Sequence, residues 1–538
     1  MKLYVLIGDV LLRAALFLTG AADAESLDES VLLRLEALEQ RPLALNRASR
    51  SRLLSEGILT PYQVASLEEY RHLYGDVLSM AELSLVDGFG EKWTEIMAPF
   101  LSLAPSLSPL QRDTLVWTQT ALLNTDLKAV RAKYRIASEK LLAGAAGRLD
   151  YDGKKSWTAH GAWFLPRGRL VAGDFNARFA QGLTLWTGFR LGGLESVEAF
   201  QLKGNGIVPS WSVSGDGTLR GVAGEWTPGK WRLGAFAGSP SLEEYWQKLH
   251  AGLYGRRIWR SGDAGFLASH VSGGWRLSLD GTFHFGQTTC FGEAAARYKD
   301  GTWAYAGLAG CRISVLDRDH LAFQLRVIPS RFSGKKNGEY AFAAGYAWSA
   351  ASLTADYALV PQPGKDASRR QLKVYGLWSI PLRGGWSVKL RAYERWRSYE
   401  RNRLDLRGEA AWESGAWTLR GRVNGVFCRK VGALGFVEGG WKDTAWTLFL
   451  RGTLFHVDEW DDRIYLYEHD APGNFTVPAC HGRGGLLSLY AAWKHRFSPA
   501  PQRSGRAITL RCGLRTAGMV RSEHTLSLSL RLQIQTEW

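Results

Sequence analysis

From about Leu123 onward, apolar and polar residues alternate over segments of about ten residues, separated by short turns. That is the period of a strand with one dry and one wet face. Trp275, Leu277, Leu279, Gly281, Phe283 and Phe285 fall on one face, opposite Arg276, Ser278, Asp280, Thr282 and His284. Two further segments, Trp417 to Phe427 and Trp386 to Ala392, repeat the scheme, with Thr418, Arg420, Arg422 and Asn424, and with Ser387, Lys389 and Arg391, on the wet side. A soluble sandwich alternates in the same way, and tryptophan separates the two cases. A short turn followed by Trp recurs at Trp231, Trp275, Trp303, Trp386, Trp417 and Trp446. An interfacial belt, where each ring is half wet, explains the recurrence better than a core that scatters aromatics in depth. The pattern predicts a large antiparallel transmembrane β-barrel over residues 111–538, with roughly 18 to 22 strands. It also predicts that the six tryptophans share one level, at a periplasmic end with short turns.

Before about residue 105 the spacing changes to three and four. Leu27, Val31, Leu32, Leu35 and Leu38 define a helix with Asp28 and Glu29 in its first turn. A second helix runs from Ser49 to Glu56 and stops at Gly57. Thr60 then caps a helix whose first position is Pro61 and which extends to about Tyr74. Met80 to Val86 forms a short helix, Asp87-Gly88-Phe89-Gly90 a turn, and Glu91 to Phe100 a last helix. The expected fold class is therefore a small all-α helix-hairpin-helix domain, residues 25–110, followed by the barrel. The Pro/Ser-rich stretch Ala104 to Pro109 marks the boundary.

Charge reinforces that boundary. The chain of 538 residues carries a formal net charge of +16, yet residues 25–110 hold 7 basic and 13 acidic side chains, net −6. Residues 1–24 are neutral, which leaves +22 for the rest. A basic barrel attracts phosphates, nucleic acid or anionic head groups, and charge excess alone does not choose among them. No apolar run beyond the N-terminus is long enough for a membrane helix, so any crossing is made by strands. At the N-terminus, Lys2, the stretch ending Ala14-Ala15-Leu16-Phe17-Leu18, and Ala22-Asp23-Ala24 predict a signal peptide over residues 1–24 and export to an oxidising compartment. An amphipathic leader is the other reading, because Asp9 and Arg13 interrupt the apolar stretch.

Leu45-Asn46-x-Ala48, the turn near Gly57, Tyr70-Arg71 before Gly75, and Gly88-Phe89-Gly90-Glu91-Lys92 together resemble the double helix-hairpin-helix domain of the ComEA-like competence family, over about residues 41–101. In that family the hairpin glycines bring backbone N–H groups to DNA phosphates, with a Lys or Arg adding charge. The resemblance implies DNA contact through Gly88, Phe89, Gly90 and Lys92. Arg47 and Arg50, three apart on one helix face, are further candidates. The first turn, Gly57-Ile58-Leu59-Thr60, lacks the second glycine, and the net −6 opposes phosphate binding. Docking of a periplasmic protein is accordingly the competing role for this domain.

The final stretch Leu526, Leu528, Leu530, Leu532, Ile534, Thr536 and Trp538 resembles the C-terminal insertion signal of outer-membrane barrels. Residues 174–216 and 457–483 break the strand pattern and are expected to be long loops or a plug. The first, with Asn474 to Pro478 and Gly482-Arg483-Gly484, is similar to segments of outer-membrane proteins that carry an N-terminal helix-hairpin-helix domain, a family of uncertain function. Asp458, Glu459, Asp461 and Asp462 lack EF-hand spacing, so an acidic solvated loop is expected there and no metal. Asp461, Asp462 and His469 fit no catalytic spacing, and no Walker A motif, nucleophile elbow or His-Glu-x-x-His is present. No enzyme and no cofactor is expected. Five cysteines form no metal pattern. A two-residue turn at Asp300-Gly301 sets Cys290 opposite Cys311, close enough for a cross-strand bridge.

The sequence thus points to a protein of a Gram-negative outer membrane, in contact with outer-membrane lipid. It is expected to act as a channel or scaffold whose helical domain binds DNA, in the sharpest form for DNA uptake. The alternative is an assembly component whose helical domain docks a periplasmic protein.

Overall fold

The computed structural model describes residues 7–538 except 22–23, 25–26, 28, 107–116, 139, 189–192, 214–216, 272, 317–318, 335–337, 349, 362–368, 471–475, 498–507, 523–525 and 538. Part of the expected leader, Asn474, Phe475 and the terminal Trp538 therefore lie outside the described residues.

The alternating segments close into one antiparallel barrel of 24 strands, from Thr118–Asp126 to Leu526–Glu537, which pair with each other at the seam. The expected 18 to 22 was too low. Strands such as Leu141–Asp150, with Leu-Leu-Ala-Gly-Ala-Ala-Gly in sequence, carry small residues on both faces and give almost no alternation signal. Where alternation is strong, the faces are as expected: Leu279 is 68% and Val423 68% exposed on the outside, while Ser278 and Arg422 are buried within. Glycines at Gly408, Gly421, Gly435 and Gly452 leave a shallow outer groove of about 690 Å³ between Leu390, Val423, Val437 and Leu454.

Both the seam's first strand and its last have their chain termini at one end of the barrel, where most turns are short. Alternation of strand direction then corrects the tryptophan expectation. Trp231, Trp386, Trp417 and Trp446 lie at this terminal end, but Trp275 and Trp303 follow turns at the opposite end. The turn-then-Trp grammar is the same at both interfaces, so it cannot distinguish them. The terminal end is nevertheless the richer, because Trp412, Trp441 and Trp493 close strands there. They face Trp386, Trp417 and Trp446 at ring distances of 6.4, 6.5 and 6.3 Å. Cys290 does stand opposite Cys311 in the register, and the two thiols are not joined.

Helices form close to their expected positions: α1 (Ile7–Thr19), α2 (Glu29–Gln40), α3 (Arg50–Glu56), α4 (Pro61–Tyr74), α5 (Met80–Leu85) and α6 (Gly90–Met97). Thr60 and Gln63 make a reciprocal capping box at α4, and Ser49 and Ser79 cap α3 and α5. Leu35, Leu45, Leu53, Leu67, Leu83 and Met97 form the buried centre of this helical region. Helix α1, within the expected leader, packs its Ala14 and Ala15 into the same core.

Candidate functional site: the filled lumen

The helical region lies inside the barrel, in the mouth at the terminal end, and its contacts run round the wall. Ser51 Oγ donates to the Leu165 carbonyl at 3.0 Å, and the Arg52 guanidinium sits 4.5 Å above the Phe164 ring. Arg50 donates to the Gly229 carbonyl and pairs with Glu68 at 3.1 Å. Tyr62 stacks on His284 at 4.3 Å, and Asp87 approaches Arg260 to 3.9 Å. Across the lumen, Glu39 faces Lys442, Lys494 and Arg511. Burial pushes the Glu39 carboxyl up from its ordinary range, and the three cations oppose that shift. The acidic character of this region thus meets the basic inner wall directly.

Within the region, the motif residues tie it together. Asn46 donates through Nδ2 to the Val77 carbonyl at 2.9 Å and accepts from the Val77 N–H at 3.0 Å, joining the two helix pairs. Arg71 donates to the carbonyls of Leu45 and Asn46, and Arg47 Nε to the Pro105 carbonyl at 2.7 Å. The first turn is turned inward: Gly57 adopts φ 63°, and a side chain there would run into Asn205 and Arg34. Ile58 and Leu59 are buried. The second turn is the open one. Gly88, Gly90 and Lys92 are exposed, with positive φ at both glycines, whereas Phe89 is buried against Trp93 at 5.0 Å. Of the six expected contacts, Gly88, Gly90 and Lys92 therefore share one accessible turn. Arg47 and Arg50 are engaged elsewhere, and Phe89 is core.

Both expected interruptions are lumenal but shorter than expected, since Asp174 to Arg178 complete the barrel strand Gly168–Arg178 and Gly482 and Arg483 open the strand Gly482–Phe497. The described residues between 179 and 218 fold back onto the inner wall, where one carboxylate, Glu293, accepts the N–H groups of Gln181, Leu183 and Thr184 at 2.9, 3.0 and 3.1 Å and the Thr184 hydroxyl at 2.9 Å. Thr354 and Gln324 donate to the carbonyls of Leu194 and Phe200. Next to it, Glu225 is buried among Arg169, Arg232 at 2.7 Å and the Tyr254 hydroxyl; Arg169 and Arg232 donate onward to the carbonyls of Ile207 and Asn205. The other loop is held by Arg451, which pairs with Glu438 at 2.5 Å and donates to the Tyr467 carbonyl at 2.5 Å. Arg515 and Arg531 pair with Glu468 and Asp470. Tyr467 reaches the core of the helical region from the far end of the barrel.

The residues weighed for metal or acid-base chemistry do not converge. Asp462 accepts the N–H groups of Arg429 and Lys430 at 3.0 and 2.9 Å, Asp461 pairs with Arg429 at 2.6 Å, and His469 lies 3.2 Å from Glu438 and stacks on Phe449. Among the described residues no group of His, Cys, Asp and Glu could hold a metal ion. The loop carboxylates are braces for the loop.

A closed antiparallel sheet with an apolar outer face, aromatic ends and a charged, filled interior defines a transmembrane β-barrel of the outer-membrane type with a lumenal plug. No protein-family model and no curated sequence matches the chain. Solved structures similar to it include the P pilus usher PapC translocation pore, with TM-score 0.35 and 10% identity over 79% of this chain and 99% of that one. The siderophore receptor PirA of Pseudomonas aeruginosa gives 0.40 and 10% over 79% and 81%, and OccK7 of the same organism 0.29 and 10% over 79% and 98%.

Proposed function

We propose that this chain is an outer-membrane channel whose periplasmic mouth is closed by its own helical region. The observation that carries the reading is the seating itself: a region of net −6 occupies the mouth of a barrel of net +22 and is tied to its wall by Ser51 on the Leu165 carbonyl, Arg50 on the Gly229 carbonyl and Tyr62 stacked on His284. Opposite fields hold such a plug without requiring it to be permanent. Planar-bilayer recordings test it. The full chain is expected to conduct poorly and the double variant Glu39→Lys, Asp87→Lys to open in larger steps. Equal conductance in the two would overturn the plug.

A second reading, a scaffold that docks a periplasmic protein, is favoured by Leu73, Tyr74, Leu78 and Leu85, which leave an exposed apolar patch at the junction of α4 and α5. The narrower DNA-receptor reading rests on the ComEA-like resemblance and the exposed turn of Gly88, Gly90 and Lys92. Salt-dependent DNA binding by the full chain that disappears when those three are substituted together would favour it; no binding at low salt would exclude it.

A further inference from the structure

Two cysteines on the hairpin of strands Thr288–Lys299 and Thr302–Leu316 have no part in the channel reading. Both residues of the turn, Asp300 and Gly301, have positive φ, 51° and 77°, the type I′ geometry that fixes the register of a two-residue hairpin. From Lys299–Thr302 to Thr288–Ile313 the ladder runs without a bulge, and Cys290 meets Cys311 nine pairs beyond the closing one. Lys299 and Thr302 close the turn as a hydrogen-bonded pair, and the two kinds of pair alternate from there, so an odd number of steps makes Cys290–Cys311 a non-hydrogen-bonded pair. In such a pair the Cα atoms approach to about 4.5 Å, within the span of a disulfide. Tyr298 and Trp303, one step from the turn, are a pair of the same kind and bring their rings to 5.1 Å. Cys290 has the parity of the exposed Ala294, and Cys311 that of the exposed Trp303 and Tyr305, so both lie on the outer wall, opposite Phe283 and Phe323. Phe283 meets Trp259 and Phe285 at 5.8 and 6.4 Å, which sets the pair at the aromatic girdle of the terminal end, where groups are half wet. Cys480 and Cys512 have no such partner, standing opposite Ile464 and opposite Trp493 and Ile534.

We propose that Cys290 and Cys311 are an oxidation site, closed to a cross-strand disulfide in the exported protein. The terminal end faces the periplasm in the reading above, and that compartment is oxidising. The thiolate of one cysteine attacks a disulfide of a periplasmic oxidant protein, forming a mixed disulfide and releasing one thiolate of the oxidant. The thiolate of the second cysteine then attacks its neighbour's sulfur and releases the other. The pair loses two electrons and two protons, and the oxidant takes them up as a dithiol. The new bond staples the stretch of wall that grips the lumenal loop. Glu293, three residues on from Cys290, holds Gln181, Leu183 and Thr184, and Phe291 and Leu308 share a buried cluster with Phe200. The proposal takes from the channel reading only which end is periplasmic, so a barrel that never conducts leaves it standing.

The full chain, exported and extracted from outer membranes, is alkylated in denaturant before any reduction, digested with trypsin and weighed by mass spectrometry. Cys290 and Cys311 then fall in separate single-cysteine fragments, 277–297 and 300–312. The expected product is these two fragments joined, two hydrogens lighter than their sum and parted by reductant, with Cys512 alkylated. Alkylation of both fragments would make the thiols mere small apolar groups on the wall. Either fragment joined to another cysteine would mean that the register does not choose the partner, and each of these results overturns the site. For the staple, reductant is expected to lower the urea midpoint of the parent in detergent and to leave that of Cys290→Ser, Cys311→Ser unmoved. Cys290→Ala, Cys311→Ala is the second variant should serine on the outer wall impair folding. A bridged parent whose midpoint reductant does not move overturns the staple. Bilayer recordings are read separately: equal conductance of the parent and Glu39→Lys, Asp87→Lys sinks the plug alone, whereas two alkylated fragments sink the bridge alone.

Discussion

The described part of loop 179–218 and the helical region both occupy the lumen, yet they are held in different ways. The loop is fastened by buried charge: Glu225 and Glu293 spend their oxygens on N–H and guanidinium groups sequestered from water. The helical region rests on rim contacts that are partly wet, such as Asp87 with Arg260, where both side chains are more than half exposed. A buried pair is expensive to break because the survivor is left uncompensated, whereas a wet pair costs little. The difference teaches which lumenal segment is built to stay and which is able to leave.

Substitutions at each should break that contrast if it is wrong. The largest effect is expected for Glu225→Ala, which strands Arg169 and Arg232 and should destabilise the barrel by about 3–5 kcal/mol, read as a lowered urea midpoint in detergent. Arg50→Ala removes the Gly229 and Glu68 contacts. It should loosen the helical region by about 1 kcal/mol, seen as faster amide exchange over residues 41–101 with the strands unchanged. The smallest effect concerns pH. Burial raises the carboxyls of Glu39 and Glu68 above the ordinary 4.5, the second against the pull of Arg50 and Arg71. The seated state therefore binds protons more tightly than the released one. Its stabilisation is full below that ordinary value and is lost as pH rises through the raised ones. Protection factors over the helices, taken relative to the intrinsic base-catalysed exchange rate at each pH, should fall from mild acid to neutrality, and Glu39→Gln should flatten the response.

Local chemistry made much of this legible. Helix α4 begins and ends where Thr60, Pro61 and Gly75 place it, because caps act within a few residues. Strand faces were legible wherever large apolar side chains alternate with charged ones. Strand number was not, since Ala/Gly strands hide their period, and neither was the level of Trp275 and Trp303, which depends on counting every turn before them. The seat of the helical region was written only as a reversal of charge sign between two stretches of chain, a signal that says attraction without saying where. For the candidate site, Gly88, Gly90 and Lys92 were singled out by the resemblance of their turn, and the structure leaves all three exposed. The engagement of Arg50 by Gly229, 179 residues away, had no local signature.

The seam has a topological consequence. The sheet becomes a cylinder only when Leu526–Glu537 pairs with Thr118–Asp126, two strands from opposite extremes of the sheet-forming stretch. The helices precede both strands in the chain and sit within the ring that this pairing shuts, and Tyr467 packs against them from the far end. Closure of this barrel is therefore an enclosure: a segment of the same polypeptide lies inside the ring that the two edge strands seal, so the wall and its contents are joined by chain as well as by contact.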